Sequence, residues 1–217
     1  MMSFTGVGLV SLSIEDWKSL WGDEEDKFVD VYDGVVEMYG EPGRFYHTLG
    51  HVDACLVEFD RVSGSAVHSF EVRLALWFHD VVYDPGRGDN VERSVDYAVD
   101  ALAGLIDDAS LSRVCDLIYA TRHDGCVSGW DMGLVVDIDL SILGKPWRVF
   151  EKYEEEIRKE YSWVPLEDYC KGRAGVLGGF LDRDFIYYSG YFRWRYEERA
   201  RCNLAYSIEC LMKQIER

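Results

Sequence analysis

Phe70-Glu71-Val72-Arg73-Leu74-Ala75-Leu76-Trp77-Phe78-His79-Asp80-Val81-Val82 is the stretch on which the fold turns. It is strongly apolar from Leu74 to Phe78, which predicts a helix lying in the centre of the protein. Upstream, Trp17, Leu20, Trp21, Phe28, Val31, Tyr32, Val35 and Met38 recur mostly at three- and four-residue intervals, the signature of a helix with one buried face. Glu41-Pro42-Gly43 ends it. A second helical stretch carries His47, His51, Cys55, Leu56 and Phe59 and stops near Ser63-Gly64-Ser65. Downstream, Asp84-Pro85-Gly86-Arg87-Gly88-Asp89 is a loop by composition, since proline fixes one dihedral and the glycines loosen the rest. Asp89 or Asn90 then caps a helix beginning near Val91.

Further helices are predicted around Leu111 to Thr121, Met132 to Leu143, Pro146 to Tyr161, Pro165 to Leu181 and Phe192 to Ile215. Strand signals are absent apart from Leu134-Val135-Val136, which fits a buried helix turn equally well. The fold class is therefore all-α, a helical bundle. No repeat, low-complexity tract or linker marks a boundary, and 217 residues suit one full domain better than two, so residues 1–217 are read as a single domain.

A hydrophobic fraction of 48% and an aromatic fraction of 14% are ample for a packed core. The net charge of -17 makes the average surface repel phosphate backbones, and no run of lysines and arginines offsets it, which argues against a nucleic-acid polymer as partner. A small anionic substrate stays open, because a bound cation and a few local arginines reverse the potential inside one cleft. The acidic run Asp23 to Asp26 and the stretch Glu151 to Glu160 read as solvated helix surface. Six cysteines, at 55, 115, 126, 170, 202 and 210, lack C-x-x-C pairing and predict reduced, mostly buried thiols. Nowhere do about 18 apolar residues run together, and residues 1–16 lack a basic region followed by an apolar stretch, so no membrane partner and a cytoplasmic location are expected.

Four of the five histidines fall in a suggestive order: His47 and His51, His79 directly before Asp80, then His123. On a helix, residues four apart share a face, so His47 and His51 are expected to look into one cleft. His79 and Asp80 stand about 100° apart around a helix axis and can still converge on one ion. Val136-Asp137-Ile138-Asp139-Leu140-Ser141 supplies two carboxylates in an apolar run, where a carboxylate is costly unless paired or metal-bound. Two imidazoles with two carboxylates suit Mn, Fe, Co, Ni or Zn and are less suited to Ca.

These segments resemble the defining motifs of the HD-domain metal-dependent phosphohydrolase superfamily: Tyr46-His47-(three residues)-His51, then Trp77-Phe78-His79-Asp80, then Asp139-Leu140-Ser141. Extended to Arg44 through His51, Ala75 through Pro85, Asp89 through Ser94, and Asp137 through Gly144, they resemble a bacterial subfamily of predicted HD phosphohydrolases with unassigned substrate. The likeness runs from about residue 17 to residue 212. It implies a metal-site core over about 40–145 and C-terminal helices over about 146–215. It also implies that His51, His79, Asp80 and Asp139 hold one divalent metal ion (Mn, Fe, Co, Ni, Zn or Mg), with Asp137 the competitor for the last position. His47 matches a histidine that protonates the leaving group in helical cyclic-nucleotide phosphodiesterases. Tyr83-Asp84 stands where alarmone hydrolases of this architecture carry a Glu-Asp pair. Only His123 falls in the interval where oxygenases of the same fold carry two extra histidines.

The expected chemistry is hydrolysis of a phosphoester or phosphoanhydride in a small substrate, with a nucleotide favoured by the resemblance. Asp84 or Glu92 would orient or deprotonate the attacking water, and His47 would act as general acid. Arg44, Arg87, Arg122 and His123 are the candidate substrate-binding residues, since a guanidinium matches phosphate oxygens bidentately. Two other readings are a non-catalytic metal- or nucleotide-binding helical module and a metal oxygenase. Homo-oligomerisation is left open.

Overall fold

In the computed structural model the described residues are 17–21, 28–124 and 127–216. They form α1 (Val29–Tyr39), α2 (Leu49–Asp60), α3 (Ser69–Phe78), α4 (Asn90–Leu102), α5 (Asp108–Ala120), α6 (Trp130–Asp139), α7 (Trp147–Glu160), α8 (Leu166–Leu181) and α9 (Gly190–Ile215). Short 3₁₀ turns follow α2 at Ser63–Ser65 and α6 at Leu140–Gly144. No strand occurs among the described residues, so the chain is all-α, and Leu134-Val135-Val136 is a buried turn of α6. The acidic run at 23–26, residues 1–16 and Cys126 lie outside the described residues.

The segment from Phe70 onward is the centre, as its composition requires. In α3, Val72 and Leu74 through Phe78 are all buried, and the Tyr39 hydroxyl donates to the Trp77 carbonyl at 3.0 Å. Buried apolar side chains from every α-helix join one continuous cluster around it. The predicted first helix is corrected in its extent: residues 17–18 are helical, residues 19–21 form a turn, residues 22–27 lie outside the described residues, and α1 starts at Val29. Trp17 nevertheless reaches the core, where its indole packs edge-on against Trp77 with ring centroids 5.0 Å apart.

Two close fits set the C-terminal helices against this core. At Gly144 a Cβ would stand 2.5 Å from Cβ of Tyr196, so the 3₁₀ turn after α6 approaches α9 closer than any side chain allows. Glu58 of α2, 1% exposed, has Oε1 bonded by Lys145, Arg61 and the Tyr196 hydroxyl, two cations and a donor that offset the cost of burying the charge although Oε2 has no partner. Of the described cysteines, all free, only Cys55 and Cys170 are buried, while Cys202 is exposed, so the thiols are less buried than composition suggested. No helix among the described residues is long and apolar enough to cross a membrane.

Candidate metal centre

His51 lies in the first turn of α2, His79 caps the C-terminus of α3 with Asp80 one residue beyond, and Asp139 ends α6. Three helix ends therefore aim at one point. Nε2 of His51 is 3.0 Å from Nε2 of His79, 3.1 Å from Oδ1 of Asp139 and 3.6 Å from Oδ2 of Asp80. Nε2 of His79 is 3.2 Å from Oδ2 of Asp80 and 3.6 Å from Oδ1 of Asp139. The buried thiol of Cys55, one turn after His51, lies 3.8 Å from that imidazole. His51, Cys55, His79 and Asp139 form a group that can hold a metal ion.

The donor chemistry fits a cation. Nδ1 of His79 donates to the Leu76 carbonyl at 3.0 Å, so in the neutral ring Nε2 presents a lone pair toward His51 and the two carboxylates. Four electron-rich atoms crowd together at these distances only where a proton or a cation sits among them. Burial opposes protonation of His79, but Asp80 and then Asp139 outweigh it and raise this imidazole well above its ordinary pKa. Burial likewise opposes ionisation of Asp80 and Asp139. The His79 imidazole at Asp80, and the bonds to His123, His51 and His79 at Asp139, hold both carboxyls far below the usual range.

His47 reaches the site by a different route from the one its spacing suggested. It precedes α2, because Thr48 is the extended N-cap residue whose side chain accepts from the Gly50 amide. The two histidines do not share a helical face. Glu160, at the C-terminal end of α7, places His47 instead: its Oε1 accepts the backbone amides of Phe45, Tyr46 and His47 at 2.8, 2.8 and 3.0 Å. Its Oε2 takes Nδ1–H of His47 at 2.7 Å. The ring stacks on Tyr83 at 3.8 Å and turns Nε2 toward Asp80, 4.0 Å away. Burial raises Glu160, but His47 more than compensates and keeps it ionised below the usual carboxylate range. Glu160 was expected to be solvated helix surface. It is buried, and only the long-range contact with residues 45–47 reveals its role.

The other expected site residues divide sharply. His123 joins the centre, with Nε2 2.9 Å from Oδ2 of Asp139, and its backbone adopts a left-handed φ of 57°. Arg44 is buried, and its guanidinium donates to the carbonyls of Asp80 (2.7 Å), Val81 (2.7 Å) and His47 (3.3 Å). It thereby satisfies carbonyls just past the end of α3 and cannot also grip phosphate. Asp84 takes the Gly86 amide into its own turn at 2.8 Å and borders a neighbouring hollow of about 610 Å³. Glu92 and Arg122 pair with each other at 2.8 Å, and Arg87 pairs with Asp89. Asp84, Glu92, Arg87 and Arg122 are all absent from the lining of the cavity that Asp80 and Asp139 border. Asp84 and Arg87 are engaged by neighbours two residues on, and Glu92 and Arg122 by each other, which sequence proximity to a motif does not reveal.

Asp137 and Asp139 separate just as cleanly. Asp137, fully buried, accepts the amides of Tyr188 and Ser189 at 2.6 and 2.7 Å and anchors the entry to α9. Burial pushes it up to about 6 in spite of those bonds. A cavity of about 310 Å³ opens above the centre, bordered by His47, Asp80, His123 and Asp139 and walled by Tyr83, Tyr153, Tyr161 and Phe180. Comparison with family models, with curated proteins and with solved structures returns no match.

Proposed function

We propose that this chain is a metal-dependent phosphohydrolase of the HD-domain type acting on a small phosphorylated substrate. One observation carries the reading: His51, His79, Asp80 and Asp139 turn their donor atoms toward one point at the base of a cavity. The ions suited to such a mixed nitrogen and oxygen set are Mn, Fe, Co, Ni, Zn or Mg. A bound divalent cation would polarise a phosphoryl oxygen and bring the pKa of a water toward neutrality.

The chain's own residues supply the rest. His79 is held in the ligating tautomer by the Leu76 carbonyl, and Asp139 is braced from its outer oxygen by His123. Glu160 fixes Nδ1 of His47 as a donor, so Nε2 is the atom that would take up a proton and, from the doubly protonated ring, hand it to a departing oxygen at the cavity wall. The aromatic wall narrows solvent access and strengthens these electrostatic contacts.

The test is phosphate release from a panel of phosphorylated metabolites with Mn, Co or Mg added. Release should depend on metal, and Asp80→Ala should lower it by at least about 100-fold, since it removes a ligand outright. If chelator-treated protein or Asp80→Ala releases phosphate as fast as the parent, the reading fails. A non-catalytic binding module is the rival that Tyr83 favours, because this ring, rather than an acid, covers His47. Tight nucleotide binding with no release under any metal would decide for it.

A further inference from the structure

Gripping phosphate requires a guanidinium N–H on the cavity beside the candidate metal ligands; Arg44 spends its guanidinium on backbone carbonyls, and Arg87 and Arg122 do not border that cavity. Arg173 of α8 is the arginine on the cavity lining, and no lysine accompanies it there. Its side chain is only 11% exposed. Nε and Nη2 donate to Glu154, the latter at 2.5 Å, and Nη2 also donates to the Tyr153 hydroxyl at 2.7 Å. Nη1 takes no part in these contacts. Nε and both N–H groups of Nη2 are thus engaged, which fixes the plane of the guanidinium and leaves the N–H groups of Nη1 for a ligand. Glu154 does not itself border the cavity, so it steadies the cation without adding its own charge to the lining.

An aromatic relay sets the distance from the centre. The Arg173 guanidinium lies 5.1 Å over the Tyr153 ring, Tyr153 packs edge-on against Tyr46 at 4.5 Å, and Tyr46 lies 4.7 Å from the His51 ring. Asp80 and Asp139 make the bare cavity repel anions. A buried arginine facing it makes sense if the visitor is itself an anion.

We infer that Arg173 binds the non-bridging oxygens of the substrate phosphoryl group, an assignment that rests on the phosphohydrolase reading. A single guanidinium in a hollow of about 310 Å³ matches one phosphate group better than a di- or triphosphate chain. The substrate class is therefore a compact phosphomonoester, its leaving group lying against Tyr161, Val176 and Phe180.

Calorimetric binding of inorganic phosphate to the full-length, Mn-loaded protein tests this, with Mn affinity measured separately for each variant. Arg173→Gln should weaken phosphate binding by about 10- to 100-fold, as loss of a charge-assisted bond does, and leave Mn affinity within about twofold. If that variant does not fold, Arg173→Lys decides, because a point charge keeps the Glu154 pair but cannot also hold a fixed N–H toward the phosphate, and should cost about fivefold. In turnover the loss should fall on KM more than on kcat. Unchanged phosphate affinity in the variant that folds, or a parent that binds no phosphate, overturns the inference. A parent that binds phosphate through Arg173 yet cleaves no ester leaves the inference standing and defeats the phosphohydrolase reading instead.

Discussion

Oε2 of Glu160 lies 2.7 Å from Nδ1 of His47, across 113 residues of chain, while Oε1 of the same carboxylate gathers three consecutive backbone amides. A single buried side chain from α7 therefore shapes the segment entering α2 and sets the tautomer of the histidine facing Asp80. In Glu160→Ala, three amides lose their acceptor at once. Leaving buried donors unpaired costs about 1–3 kcal/mol each, so the loss should be about 3 kcal/mol or more, read from urea midpoints. Glu160→Gln keeps an acceptor for the amides. It should lose less stability but about 10- to 100-fold in turnover, since His47 is then no longer held as a donor.

The same carboxylate predicts an acid limb. Its folded-state pKa is depressed, so its contribution is present above the ordinary glutamate value of 4.5 and is lost as pH falls through the depressed one. The stability gap between the parent and Glu160→Gln should thus shrink below about pH 4. A gap that stays constant from pH 7 to pH 3 would contradict this.

Metal should stabilise the folded chain. At a concentration 100 times Kd the gain is about 2.7 kcal/mol, visible as a rise in Tm that a chelator reverses. His79→Ala should abolish that rise, because it removes the ligand whose tautomer is already set. An equal rise in the variant would place the ion elsewhere.

His123 touches Asp139 through the oxygen that does not face His51. Replacing such a bracing residue typically weakens metal binding by about 10- to 100-fold. His123→Asn suits the left-handed backbone and isolates the loss of the imidazole. Titration with Co or Mn measures it, and an unchanged affinity would remove His123 from the centre.

Asp137→Ala should behave in the opposite way. Two amides at the entry to α9 lose their acceptor, at a cost of about 2–4 kcal/mol, while metal content stays that of the parent. Elemental counting beside a denaturation curve separates the roles of Asp137 and Asp139.

Helix α8 carries Gly172, Gly175, Gly178 and Gly179, and a Cβ at any of them would meet nothing within 4 Å. No close contact demands these glycines. Gly175→Ala and Gly179→Ala should each raise stability by about 0.5–1 kcal/mol, measured by chemical denaturation. A loss in either would mean that α8 needs a backbone freedom it does not use in this conformation.

Legibility in the sequence followed the range of the forces involved. The buried run Leu74 to Phe78 and the periodic apolar residues of the later helices declared α3 to α9, because burial of one face leaves its period in the chain. His51, His79, Asp80 and Asp139 were singled out by the resemblance of their order and spacing to the HD-domain motifs, while the apolar run around Asp137 and Asp139 marked both carboxylates alike. Glu160 and Arg173 were not singled out, since each sits in a charged helix and resembles its solvated neighbours. Arg44 misled for the converse reason: it lies within a motif, yet its partners are carbonyls 36 and 37 residues away.

Composition and periodicity determined by themselves that this protein is helical and where its ligand-type side chains fall, because those properties depend on spacing along one chain. Which carboxylate faces the imidazoles, which arginine reaches the cavity and what holds His47 were decided only by the packing of α2, α3, α6, α7 and α8. Charged side chains settle on the nearest partner in space, which for Glu160 lies 113 residues away along the chain.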